Sequence, residues 1–171
     1  LMAAAQLLVQ RGINKGNVKF MFQPAEEGLA GAKAMIEDGV LEEPRVDAAA
    51  ALHVSTIYPT GNLAVAPGAR WAATNNISIR ITGVGGHAAA PHRTIDPIPI
   101  AAQIITALQQ ITSRQADPFD AVVLTIGKIQ GGHTGNVISP DVELIGTVRT
   151  YNPELRKQIP QKIEAIVKGI T

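Results

Sequence analysis

Six side chains in this sequence are of types that can do chemistry: Glu26, Glu27, His53, His87, Asn136 and Arg149. Glu26 and Glu27 sit in Phe22-Gln23-Pro24-Ala25-Glu26-Glu27-Gly28, where an apolar run from Val18 to Phe22 meets a proline and then two carboxylates. Adjacent acids in a non-helical turn need not point the same way. One can coordinate a cation while its neighbour takes a proton from water. The same pair also suits the first turn of a helix, where the macrodipole favours acids. His53 lies near the end of a nearly unbroken apolar run, Val46–Val54. It is either a core histidine bonded to a carbonyl or a nitrogen partner for the Glu26-Glu27 loop. Neighbouring strands lie about 5 Å apart, so two loops leaving adjacent strand ends can meet. A glutamate and a histidine are part of a zinc or manganese ligand set, not the whole of one.

The second half carries a different chemistry. Gly85-Gly86-His87-Ala88-Ala89-Ala90-Pro91-His92 places two histidines five residues apart, not at the spacing of a helical metal pair. A single histidine on a glycine-rich turn can instead polarise a carbonyl or stabilise an oxyanion; the plain alternative is a flexible turn. His133, in Gly131-Gly132-His133-Thr134-Gly135, reads as structural or solvent-exposed. Asn136 and Arg149 suit a turn and a surface charge, and are also what a site uses to hold an amide oxygen or a carboxylate.

The elements that must position these groups alternate. Leu1–Gln10 reads as a helix, Asn17–Gln23 as a short buried strand, Leu29–Asp38 as a helix closed by Gly39, and Val46–Val54 as a strand covered on both faces. That order builds a parallel α/β sheet. Leu63–Ala66 reads as a last edge strand, and the Pro- and Gly-rich stretch around it marks a linker, so the expected domains are 1–71 and 72–171. Asn75–Gly83 then alternates, with Ile77, Ile79 and Ile81 on one face and Ser78, Arg80 and Thr82 on the other, as a half-buried strand does. A helix over Ile98–Ile111, strands over Ala121–Ile129 and Val142–Thr150, and an amphipathic helix over Pro153–Ile170 follow. The order β-α-β-β-α is a ferredoxin-like unit short of its last strand, which is expected after Thr171.

Composition narrows the function classes. The 171 residues are 46% hydrophobic and 17% charged, which suits a packed core rather than disorder. Lys and Arg total 15 against 14 Asp and Glu, with no basic block, so neither nucleic acid nor an anionic membrane is an expected partner. There is no cysteine, which removes disulfides and thiolate metal sites and allows a reducing, cytoplasmic setting. No apolar run reaches membrane-span length. Both ends fall inside helical patterns, so the chain reads as an internal piece of something longer.

Taken together, the motifs resemble the M20 metallopeptidase family, in its amidohydrolase branch of hippurate hydrolases, N-acyl-amino-acid amidohydrolases and indole-acetyl-amino-acid hydrolases. Six matching segments run in order through the chain: Phe22–Gly28, Leu52-His53-Val54, Gly85–His92, Ile95-Asp96-Pro97-Ile98, Gly135-Asn136-Val137-Ile138 and Gly146-Thr147-Val148-Arg149-Thr150. The resemblance implies a partial catalytic domain with a parallel-type sheet of the phosphorylase/hydrolase-like kind found in zinc exopeptidases, followed by an α+β ferredoxin-like lid that also dimerises. It implies that Glu26 is the general base, that Glu27 and His53 are ligands of a centre of two divalent ions (Zn, Mn, Co or Ni), and that His87 stabilises the oxyanion, in dimers reaching the neighbouring subunit's site. Asn136 and Arg149 would contact the substrate, an N-acyl amino acid or small peptide, Arg149 through its carboxylate. The family's upstream His-x-Cys-Gly-His-Asp segment and its C-terminal histidine are absent here, and Ser139 stands where many members carry proline. The chain alone is therefore expected to bind metal weakly and to be inactive. A non-enzymatic dimerisation or ligand-binding module derived from the lid is the alternative.

Overall fold

The computed structural model describes residues 1–27 and 31–171. They divide into two compact units, Leu1–Leu63 and Ala64–Thr171. In the first, α1 spans Met2–Arg11, a run of strong helix formers, and ends at Gly12 with φ 76°. Helix α2 spans Gly31–Glu37. The expected start of this helix at Leu29 lies outside the described residues. Its end is a Schellman arrangement: Gly39 N–H donates to the Ile36 carbonyl and Val40 N–H to the Met35 carbonyl, with Gly39 at φ 80°.

The expected parallel sheet is not formed. Asn17–Gln23, Val46–Val54 and Leu63–Ala66 carry no ladder, and no strand occurs among the described residues of the first unit. The reason is physical. A strand of this apolar kind needs neighbours to pair with and layers to cover both faces, and here Leu52 and Val54 are 77% and 90% exposed.

The second unit is a two-layer α+β fold. Its sheet has three antiparallel strands in the order β1–β5–β3, with β1 at Ala73–Thr82, β3 at Val122–Gln130 and β5 at Asp141–Thr150. β1 and β5 pair without a slip from Ala73↔Thr150 to Thr82↔Asp141. β3 follows β5 from Val122↔Thr150, with a bulge between Ile126 and Lys128. A separate two-stranded ladder joins β2, Gly86–His87, to β4, Val137–Ile138. Such short strands carry no periodicity, and the sequence reading contained neither.

One face of the large sheet is the core. Ile77 and Ile81, Val142, Leu144 and Val148, and Leu124 all turn to it, against Ile104 and Leu108 of α3 and Ile159 of α4. Helix α3 spans Pro97–Gln110; its Asp96 cap accepts the Ile98 N–H, and a π-turn over Ile111–Gln115 follows it. Helix α4 spans Pro153–Ile170. The outer edge of β1 pairs with no strand among the described residues. Beside it a groove of about 380 Å³ runs along α4, lined by Ile77, Ile79, Ile159, Ile163 and Val167 among others.

The start of α4 shows how the sequence fixes a helix end. Asn152 Oδ1 accepts from the N–H groups of Glu154 and Leu155, its Nδ2 donates to both Asp120 oxygens, and Pro153 takes the first helical position. Asn152→Ala removes the cap and frees Asp120 at once. It is expected to destabilise the unit by about 1–2 kcal/mol, read as a lower urea midpoint with an unchanged slope.

Candidate functional site

In the first unit, the Glu26-Glu27 loop is seated tightly. Gly31, the first residue of α2, lies so close to the Pro24 carbonyl that any Cβ there would overlap it. Ala25, immediately before Glu26, takes φ 47°, a left-handed conformation that costs a non-glycine residue about 1 kcal/mol or more. The loop then presents Glu26 Oε1 at 3.8 Å from His53 Nε2, both side chains about half exposed. His53 Nδ1 lies 2.7 Å from the Val54 carbonyl. A carbonyl can only accept, so Nδ1 carries the proton, and in the neutral ring the lone pair sits on Nε2, the nitrogen towards Glu26. This is the tautomer of a histidine that binds a metal through Nε2.

The loop ends expected to meet do meet, although neither leaves a strand. It is Glu26, rather than Glu27, that stands beside His53. A histidine nitrogen with a carboxylate 3.8 Å away falls short of a closed tetrahedral site, which takes four ligands. Among the described residues no group of three His, Cys, Asp or Glu side chains is placed to hold a metal ion. These residues therefore fit a fraction of a metal centre and not a complete one.

In the second unit, the β2–β4 ladder brings two of the candidates together. His87 pairs with Val137, and Ala88 N–H donates to the Asn136 carbonyl at 3.0 Å. His87 Nδ1 accepts from Ala89 N–H at 3.1 Å. A neutral His87 so bonded carries its proton on Nε2 and offers a donor there, the polarity an oxyanion requires. Asn136 Oδ1 accepts from the Thr134 hydroxyl at 3.1 Å, which turns the carboxamide oxygen towards Thr134 and leaves the NH₂ group to donate. Thr134 was not foreseen from the sequence, because a threonine two residues before an asparagine carries no periodic signal.

Arg149 stands elsewhere. It is exposed on the open face of the sheet, opposite Thr74 and Val123, one residue from the end of β5. Asp141, at the other end of that strand, adjoins β4. Eight residues at about 3.4 Å each put Arg149 roughly 27 Å along the strand from that end. The second unit thus separates Arg149 from His87 and Asn136. His92 lies in a single 3-10 turn, Pro91–Arg93, and His133 is exposed in its loop.

Residues 72–170 match the family model of the peptidase dimerisation domain of M20 proteins. The chain is 45% identical over 156 residues to N-acetyldiaminopimelate deacetylase of Priestia megaterium, covering 91% of this chain and 42% of that protein. It is 42% identical to N-acetyl-L-cysteine deacetylase of Bacillus subtilis, across 100% of this chain and 41% of that one. A crystal structure of a dinuclear metal-binding M20 peptidase from Bacillus subtilis is similar with a TM-score of 0.67 and 35% identity, over 99% of this chain and 41% of that one. The chain belongs to the M20 family, in its amidohydrolase-type branch. It spans about two fifths of the length of the curated relatives it matches. No helix among the described residues is long and apolar enough to cross a membrane.

Proposed function

We propose that the protein carrying this chain hydrolyses the amide bond of N-acyl amino acids. The observation that supports this most is similarity along the whole chain to deacetylases of N-acetylated amino acids. Residues 1–71 are assigned to the catalytic domain and 72–171 to a lid through which two copies associate, the family model beginning at residue 72. Glu26 takes the proton from the attacking water and later delivers it to the leaving amine. The Nε2 lone pair of His53 and the Glu27 carboxylate are this chain's contribution to a centre of divalent ions; when bound, such ions supply charge stabilisation and a more acidic water. His87 donates from Nε2 to the oxygen that gains charge, and the Asn136 NH₂ group donates to the acyl or carboxylate oxygen of the substrate. Arg149, at the far end of β5, holds a carboxylate separately from that pair.

The test is acetate release from a panel of N-acetyl amino acids by the full-length protein, before and after dialysis against a chelator. Release that disappears with the chelator and returns with zinc or manganese is the expected result. No release from any member of the panel in the metal-loaded protein would overturn the reading and favour a lid that works as a binding or dimerisation module.

A further inference from the structure

Ser139 is one of two buried polar residues among the described residues, 4% exposed, and its hydroxyl is fully used. It donates to the Asp141 carbonyl at 2.7 Å, accepts from Gly132 N–H at 3.1 Å, and accepts a longer contact from Asp141 N–H at 3.4 Å. A hydroxyl has one proton and two lone pairs, and all three are engaged. The bond to Gly132 closes residues 132–139 into a loop, and Thr134 and Asn136 lie inside it. The loop is seated hard on the first residues of β5, since a Cβ on Gly131 would overlap both the Asp141 carbonyl and the Val142 side chain. Asp141 is itself fixed from β1, where Arg80 Nε and Nη2 donate to its Oδ2 at 3.0 and 2.6 Å. That hydrogen bond and the attendant charge raise the Arg80 guanidinium above its ordinary value.

The consequence reaches His87 by two short paths. Ile138, the residue before Ser139, pairs with Gly86. Asn136, inside the closed loop, receives Ala88 N–H on its carbonyl. His87 lies between Gly86 and Ala88, and its Nδ1 is held by the next N–H in line. We propose that Ser139 is a positioning residue: by tying Gly132 to Asp141 it sets the register of the β2–β4 ladder, and with it the donor directions of His87 and Asn136. This rests on the roles given above to those two side chains. It assigns to Ser139 a task beyond filling space, since an apolar side chain can fill the space but makes none of the three bonds.

Two variants and two readouts test it. Ser139→Ala removes the hydroxyl; Ser139→Thr keeps it. In the full-length protein, Ser139→Ala is expected to lower kcat about tenfold or more, with KM changed less than about threefold, because a displacement of about an ångström costs up to 10²-fold in rate. Ser139→Thr is expected to recover most of the loss. In the 171-residue chain, the ring ¹⁵N shifts of His87 report its tautomer without any activity. They are expected to move towards the unconstrained mixture in Ser139→Ala and to stay in place in Ser139→Thr. A Ser139→Ala protein that melts earlier yet keeps its kcat below the melting range, with His87 shifts unchanged, would reduce Ser139 to a packing residue and overturn the proposal. If the unsubstituted protein hydrolyses none of the panel, the functional reading fails, and the His87 shifts still decide this one.

Discussion

Replacing Glu26 by glutamine in the full-length protein lowers kcat by about 10²–10⁴-fold and leaves KM within about threefold of its starting value. The substitution is nearly isosteric, so the strained turn at Ala25 and the close approach of Pro24 to Gly31 survive it. What it removes is the carboxylate placed 3.8 Å from His53 Nε2. A carboxamide cannot accept a proton from water at neutral pH, whereas its bulk and polarity still support substrate binding. Steady-state hydrolysis of an N-acetyl amino acid measures both constants. The companion variant Glu27→Gln separates the two neighbours: there the expected loss follows the metal content of the purified protein and is partly restored by excess zinc or manganese. Turnover close to normal in Glu26→Gln would remove Glu26 from the reaction. A loss in Glu26→Gln that excess metal restored would exchange the roles of the two glutamates.

The second large effect is on stability. Leu144 is wholly buried at the middle of the central strand, with Ile79 opposite on one side and Ile129 on the other. Leu144→Ala is expected to destabilise the lid by about 2–5 kcal/mol, because α3, α4 and two strands surround the site and relax into the cavity only in part. For a unit of this size that is a fall in melting temperature of roughly ten degrees or more. Ile145, the next residue, turns to the open face of the sheet and is 36% exposed. Ile145→Ala is expected to cost about 1 kcal/mol or less. Urea unfolding of the two variants side by side measures the contrast. Equal losses would mean that the sheet has no single buried face.

How much of this was legible in the sequence differs between the two units for a physical reason. In the lid each strand carries its own evidence of burial. Ile77, Ile79 and Ile81 alternate with Ser78, Arg80 and Thr82, and the structure buries the isoleucines most and leaves the others exposed. The helix over Pro153–Ile170 was read with its observed bounds, and the other, read from Ile98, starts one residue earlier at Pro97 behind its Asp96 cap. In residues 1–63 the apolar runs declare only that they need covering, not what covers them, and a run without a partner forms no ladder. A meeting of the Glu26-Glu27 loop with His53 was expected from adjacent strand ends; Glu26 and His53 stand 3.8 Å apart although no strand leads to either. The resemblance put His87 and Asn136 both at the substrate, but the two-residue ladder that joins them has no pattern to read. The distance of Arg149 from that group follows from strand length alone.

The order of the sheet, β1–β5–β3, also governs how the lid is made. Its central strand is the last of the three to leave the ribosome. At about 5–20 residues per second, β1 waits several seconds unpaired while α3 and β3 are synthesised. β3 can close on β5 across a short connection as soon as Thr150 emerges. β1 must then join across the whole intervening chain, at a greater cost in loop closure. Until that moment the alternating isoleucines of β1 stand open to any other strand in the vicinity. Newly made chains are thus expected to be most prone to aggregation in the interval between the emergence of Thr82 and that of Thr150, and a translational pause placed there should lower the soluble yield more than one placed after α4.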